Sequence, residues 1–283
     1  DNIINVNDII GGLNMNKELL EYIVSKKHHK YRQNDMTENL AEEYHRLELS
    51  PVERMTRRFE LLTERELPVL LPNEKICFMR TVKTIPDCFT DEEWAEIKSK
   101  HYIHELGYMS NLSPDYEQTL SAGLLELRKN ADEYGKRAID AIIRLSDRYR
   151  AEAEKQGKTE LAHVLEQVPR YGARSFYEAL QFFRIIHFSL WLEGNYHNTT
   201  GRFDKYMYPY LKADMEKGLY TEETALELLE DFFLSFNKDS DLYTGVQQGD
   251  NGQSMVLGGV DEDGREYDIG DTDVKITPAL KEG

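Results

Sequence analysis

Apolar residues recur at intervals of three and four from Tyr116 to Tyr149, through Leu120, Leu124, Leu127, Ala131, Tyr134, Ala138, Ile142 and Leu145. That spacing keeps one helical face apolar and predicts a single amphipathic helix of about nine turns. Ser113 reads as its N-cap and Pro114 as its first helical residue, with Asp115 and Glu117 in a first turn whose N–H groups favour negative charge. A different pattern runs from Ala179 to Leu192, ALQFFRIIHFSLWL, where almost no side is polar. A helix apolar all round must be enclosed by protein. The run falls short of the roughly 20 residues of a bilayer span and carries Gln181, Arg184, His187 and Ser189, so it predicts a core helix.

Capping patterns mark further elements. Thr90 and Glu93 form a capping box ahead of Trp94, and Thr221 with Glu222 and Glu223 opens a helix through Ala225, Leu228, Leu229, Phe232 and Phe236. Shorter helices are expected at about 16–26, 37–48 and 51–65. Strand candidates are Ile76–Val82 and Met255–Val260, the latter containing Gly258 and Gly259. Few strands among many helices predict a helix-rich α/β protein. No Pro/Gly/Ser linker divides the chain, which reads as a single domain over 1–283 with peripheral termini, the first fifteen and last twenty residues.

Charge narrows the function classes. The 283 residues hold 52 Asp plus Glu against 35 Lys plus Arg, a formal charge of −17 spread over most of the chain. Such a surface repels polyanions and anionic membranes, which argues against a nucleic-acid role. The N-terminal DNIINVNDIIGG lacks the order of a signal peptide, and the cytoplasm is the expected compartment. Cys77 and Cys88 are the only cysteines; they form no CxxC pair, and their contexts read as buried and structural.

Most motif-like stretches have a bland reading that fits better. HYIHE, His101–Glu105, sets two histidines three apart with no completing ligand. NKDSD, Asn237–Asp241, starts like a calcium loop, but Leu242 and Gln248 stand where that loop needs Gly and Glu, and a solvated helix end is expected. DEDG, Asp261–Gly264, reads as a turn. TGVQQGDNGQS, Thr244–Ser254, lacks the Gly-Lys-Ser/Thr of a phosphate cradle and reads as a connection or a site wall. No metal site is expected.

HNTTGRFDKYMYPYL, His197–Leu211, stands apart. Polar Asn195, His197, Asn198, Thr199 and Thr200 follow the core helix; Gly201 permits a turn; Phe203, Tyr206, Met207, Tyr210 and Leu211 resume a helical face around Pro209. The stretch is either a tied structural corner, in which a buried Arg202–Asp204 pair anchors the loop, or the wall of a site.

The sequence EGNYHNTTGRFDKYMYPYL resembles the G-R-F-D-Q-Y-x-Y-P-Y signature of glycyl radical enzymes of the pyruvate formate-lyase type, in the subgroup that includes dehydratases, decarboxylases and C–N lyases. Three other stretches agree in order: NLSPDYEQTLSAGL from Asn111, YEALQFFRIIH from Tyr177 and GDNGQSMVLGGVDEDG from Gly249. The resemblance covers about Thr37 to Gly264. It implies a ten-stranded α/β barrel, a backbone glycyl radical installed by a separate S-adenosylmethionine iron–sulfur activating enzyme, and a cysteine thiyl that abstracts hydrogen from a small polar substrate. Neither Cys77 nor Cys88 has the family's Gly-Cys context, and no Arg-Val-x-Gly-Tyr/Phe motif occurs.

The resemblance therefore implies about one half of the barrel: an N-terminal segment or split subunit of a formate acetyltransferase-like, lyase or dehydratase enzyme, binding no cofactor itself and inactive alone. Its partners would be a C-terminal half or complementary subunit, the activating enzyme and, when complete, a second copy in a homodimer. Carried over by position, Thr199 with His197 beside it would face substrate, and Asn111 stands where relatives often have His, so it lacks titration near neutral pH. No single relative's substrate carries over. Arg202 and Asp204 would hold the corner. A catalytically silent helical scaffold that binds a protein or small molecule is the alternative.

Overall fold

The helix expected across Tyr116–Tyr149 is interrupted twice, each time by local chemistry. The computed structural model describes residues 17–33, 36–100, 109–194, 196–239 and 255–258. Its first helices are α1 (Lys17–Val24), α2 (Leu40–Arg46), α3 (Pro51–Arg65) and α4 (Asp91–Lys100), with a 3-10 turn at Lys27–Tyr31. Strand β1 (Met109–Leu112) precedes α5 (Tyr116–Ala122), α6 (Leu124–Arg128), α7 (Glu133–Lys155), α8 (Thr159–Gln167) and α9 (Phe176–Leu192). Strand β2 (Tyr196–Asn198), α10 (Phe203–Glu216) and α11 (Glu222–Phe236) follow.

Gly123 ends α5 at φ 80°, and a Cβ there would stand 2.4 Å from the Tyr171 carbonyl carbon. The segment that crowds it takes over the ladder: Leu124 and Leu125 donate their N–H groups to the carbonyls of Pro169 and Arg170 at 2.9 and 3.0 Å. Asp132 then restarts the chain as the N-cap of α7, accepting from Gly135 N at 2.7 Å. At the front, Asp115 is the cap rather than Ser113, accepting from Gln118 N at 3.0 Å. The apolar period survives these breaks because the pieces turn Tyr116, Leu120, Leu124, Leu145 and Tyr149 into one core.

The capping expectations hold elsewhere. Glu93 N donates to Thr90 Oγ1 at 3.3 Å, and Thr90 N donates to Glu93 at 2.9 Å. Arg54 forks onto the same carboxylate at 2.7 and 2.9 Å and, with His45 and the cap, holds its pKa down at about 2. Thr221 caps α11, and Ser50, not singled out from the sequence, caps α3.

At the centre lies α9, with all but Ile186 and Leu190 of its residues buried. Phe183 is its hub: its ring stacks on Tyr116 at 4.1 Å and meets Phe232 edge-on at 5.2 Å, with Phe203, Tyr206 and Phe236 within 6.3 Å. Aromatic burial of this extent stabilises by about 3–5 kcal/mol relative to alanine.

The run Ile76–Val82 is buried as an apolar strand would be, but among the described residues it pairs as a strand at a single bridge position, Val82. Side chains take most of its amides. Asp231 accepts from Lys75 N and Ile76 N at 2.8 and 2.9 Å, Gln181 from Cys77 N at 2.9 Å, Tyr149 from Met79 N at 3.1 Å and Asp239 from Arg80 N at 3.3 Å. Glu66 accepts from Thr81 and Val82 N. In return, Lys238 donates to the Ile76 carbonyl at 2.7 Å and Arg184 to that of Phe78 at 2.9 Å. Buried amides demand partners, and here side chains of α7, α9 and α11 and of residues just past the ends of α3 and α11 supply them.

This threading also corrects the expected solvated end at NKDSD. Lys238 and Asp239 are buried, paired with Glu74 at 2.6 Å and Arg184 at 2.5 Å; Asp241 lies outside the described residues. So do HYIHE, the whole 244–254 loop and the DEDG turn. Met255–Val260 contributes, among the described 255–258, one parallel bridge between Met255 and Gly201. With the parallel pair β1 and β2, the described residues form a helix-rich α/β protein. None of the described helices is long and apolar enough to cross a membrane.

Candidate functional site

Two parallel strands bring distant segments together. Met109 pairs with Tyr196 and Leu112 with Asn198, so the Met109–Leu112 side has one residue more than its partner between the paired positions. Asn111 lies in that stretch, and His197 lies on the neighbouring strand. One step on, Thr199 N donates to the Leu112 carbonyl at 2.8 Å. The main chains of Asn111, His197 and Thr199 are thus brought into a single strand pair.

Alternation then separates two faces. Asn198 and Thr200 are buried, whereas Thr199 between them is half-buried. Successive strand residues point to opposite faces. Thr199 therefore faces away from the side that encloses Asn198 and Thr200.

The corner behind these strands is tied by three contacts. Gly201 adopts φ 62°, a left-handed conformation that favours glycine, and its carbonyl accepts from Val256 N at 3.0 Å. Tyr206 donates its hydroxyl to the Thr200 carbonyl at 2.5 Å, and burial raises its pKa, keeping the phenol protonated. Asp204 accepts from Lys205 N at 2.9 Å and from Gly258 N at 2.7 Å. The expected buried Arg202–Asp204 pair is looser than foreseen: Arg202 Nε is 3.5 Å from Asp204, and the Arg202 side chain is 30% exposed. Asp204 is bonded chiefly to backbone amides. Its link to Gly258 had no local signal, since the partners are 54 residues apart.

The thiols are built for packing. Cys77 and Cys88 are fully buried. Burial drives the Cys77 thiol pKa up and that of Cys88 to about 11, so both stay protonated at neutral pH. Among the described residues no group of three or more His, Cys, Asp or Glu could hold a metal ion. An open cleft of about 620 Å³ between α3 and α7, lined by Glu60, Glu64, Arg144 and Arg148, shares no residue with the corner.

A family profile described as pyruvate formate lyase-like matches residues 21–267. The chain belongs to this glycyl radical enzyme family. Among curated members of the family, it is 30% identical over 172 residues to (2S)-3-sulfopropanediol dehydratase of Klebsiella oxytoca, covering 51% of this chain and 21% of that protein. It is also 30% identical over 141 residues to isethionate sulfite-lyase of Bilophila wadsworthia, covering 47% of this chain and 17% of that protein. The fold is similar to that of a solved structure concerned with 1,2-propanediol dehydration in Roseburia inulinivorans, with TM-score 0.67 and 20% identity over 89% of this chain and 43% of that one. The chain thus spans less than half the length of these relatives. The resemblance noted from the four motifs is borne out, and the matched span extends slightly beyond Thr37–Gly264 at both ends.

Proposed function

We propose that this chain forms the substrate-facing N-terminal wall of a glycyl radical dehydratase or lyase that acts on a small polar substrate by thiyl-mediated hydrogen abstraction. The observation that carries the reading is the pairing of two separate motif segments, with Thr199 N bonded to the Leu112 carbonyl at 2.8 Å beside Asn111. In this reading Asn111, His197 and Thr199 line the substrate cavity, and the strands belong to about one half of a ten-stranded barrel. The names of the dehydratase and lyase relatives support the reaction class.

This chain's own residues do not fit the radical relay. Both thiols are enclosed and protonated, and the sequence has no Arg-Val-x-Gly-Tyr/Phe motif. The abstracting cysteine and the radical glycine would come from a C-terminal half or complementary subunit, the radical being installed by the activating enzyme, with a homodimer as the complete form. The part left to this chain is to orient polar groups of the substrate and exclude water, because a carbon radical in solvent is quenched.

The test is Thr199→Val in the complete, anaerobically activated enzyme, assayed against small diols, hydroxy acids and hydroxysulfonates. Replacing the hydroxyl by a methyl of similar size removes one hydrogen bond, and turnover on the accepted substrate is expected to fall about tenfold, with thermal stability nearly unchanged. Parent-like turnover in Thr199→Val and in Asn111→Ala would refute the cavity assignment. A silent scaffold would show no turnover in the parent on any substrate.

A further inference from the structure

A parallel ladder runs out of carbonyls where a strand turns into a helix, and one side chain takes over at that point. Val256 N donates to the Gly201 carbonyl at 3.0 Å in the parallel bridge between Gly201 and Met255. In a parallel pair, amides two residues apart point the same way, so the next donor on this edge is Gly258 N. Its regular acceptor would be the carbonyl two residues beyond Gly201, that of Phe203. Phe203 is already the first residue of α10, and its carbonyl is directed along the helix. Asp204 Oδ2 stands in the vacant place instead, accepting from Gly258 N at 2.7 Å.

We propose that Asp204 is a positioning residue that supplies the last rung of this ladder and so fixes the register of Met255–Gly258 against Thr199–Gly201. Two features support a dedicated acceptor. The second oxygen, Oδ1, is occupied by Lys205 N at 2.9 Å, in the first turn of α10, where a carboxylate is favoured by the exposed N–H groups. Gly258 is itself buried at φ 69°, a conformation suited to glycine, and its amide needs a partner. The carboxylate thereby couples three pieces: the stretch that carries Thr199, the start of α10 and the 255–258 segment. Shifting the third would move the wall to which Thr199 belongs.

The assignment rests on the proposed role of Thr199 for its catalytic consequence, but its structural core is independent of that role. The experiment compares Asp204→Ala and Asp204→Asn with the parent by amide hydrogen exchange and, in the complete activated enzyme, by kcat, KM and radical content. In Asp204→Ala the Val256 amide, whose own partner is untouched, is expected to exchange at least tenfold faster, while Asp204→Asn, which keeps one acceptor oxygen, recovers most of the protection. KM is expected to rise at least fivefold at unchanged radical content per chain. Parent-like exchange at Val256 in Asp204→Ala would overturn the proposal. Faster exchange without a change in KM would leave the rung in place and refute the substrate-facing role of Thr199, and a parent without turnover would count against the functional reading alone.

Discussion

Replacing Asp231 by alanine removes the acceptor for two backbone amides at once. One oxygen takes Lys75 N at 2.8 Å and the other takes Ile76 N at 2.9 Å. Ile76 is fully buried, so its N–H would be left without water, at a cost of about 1–3 kcal/mol. Lys75 is exposed at its side chain, and its amide can partly recover with solvent, so its loss is nearer about 1 kcal/mol. Part of this is returned, because burial of the Asp231 carboxylate is itself costly and raises its pKa, although Lys238 opposes the shift. The net expectation is a loss of about 2–3 kcal/mol for Asp231→Ala and about half of that for Asp231→Asn, which keeps one oxygen. Urea unfolding followed by circular dichroism gives the free energies, and hydrogen exchange at Ile76 locates them. If Asp231→Ala unfolds within about 0.5 kcal/mol of the parent and Ile76 stays protected, side chains do not hold the threaded segment and the reasoning is wrong.

Three further outcomes follow from the same structure. His187 is enclosed between Phe183, Phe236 and Trp191, and burial, with the Arg184 charge adding, lowers its pKa well below 6.5. The unfolded chain then binds the proton that the folded chain refuses, so stability should fall by up to about 1.4 kcal/mol per pH unit as pH drops below about 6.5. His187→Leu should remove that slope in a pH series of urea melts. The raised pKa values of Glu66, Glu74 and Glu193 act with the opposite sign, losing stability as pH rises from about 4.5, and largely cancel between parent and variant. Gly123→Ala, which places a Cβ 2.4 Å from the Tyr171 backbone at φ 80°, should destabilise by on the order of 3 kcal/mol in thermal melts, whereas Gly157→Ala, with open space around a φ of 72°, should cost about 1 kcal/mol. This chain alone, incubated with a competent activating enzyme, should give no glycyl radical doublet by electron paramagnetic resonance.

The elements legible in the sequence were those governed by neighbours along the chain. Thr90 and Thr221 cap helices because their acceptors and donors lie three residues away, and α9 announced itself through an apolar run that no surface helix would tolerate. The failures share the opposite cause. Gly123 breaks a strongly periodic run because residues near Pro169 and Tyr171 press against it, and no pattern between Tyr116 and Tyr149 encodes that pressure. Ile76–Val82 was read correctly as buried, but among the described residues only Val82 sits in a bridge, since burial is set by its own side chains while Asp231, Gln181 and Asp239 take amides that a strand partner would otherwise bind. At the site, the motifs singled out the corner, while the adjacency of Asn111 to His197 and the link from Asp204 to Gly258 emerge only from the strand pairing.

The segment threaded through the core also sets an order of events during folding. Its partners lie 104 residues away at Gln181, 155 at Asp231 and 159 at Asp239. Closing loops of that length is entropically costly and slow, and none of these bonds can form until the partners exist and are placed. As the chain is synthesised from its N-terminus, Ile76–Val82 emerges long before α9 and α11, with apolar side chains and unsatisfied amides together. The seven residues then form an exposed, aggregation-prone stretch until Asp239 has left the ribosome. Chains truncated before Asp231 should accordingly aggregate through this stretch, and a charge introduced within it should relieve the aggregation while preventing the full chain from reaching its native core.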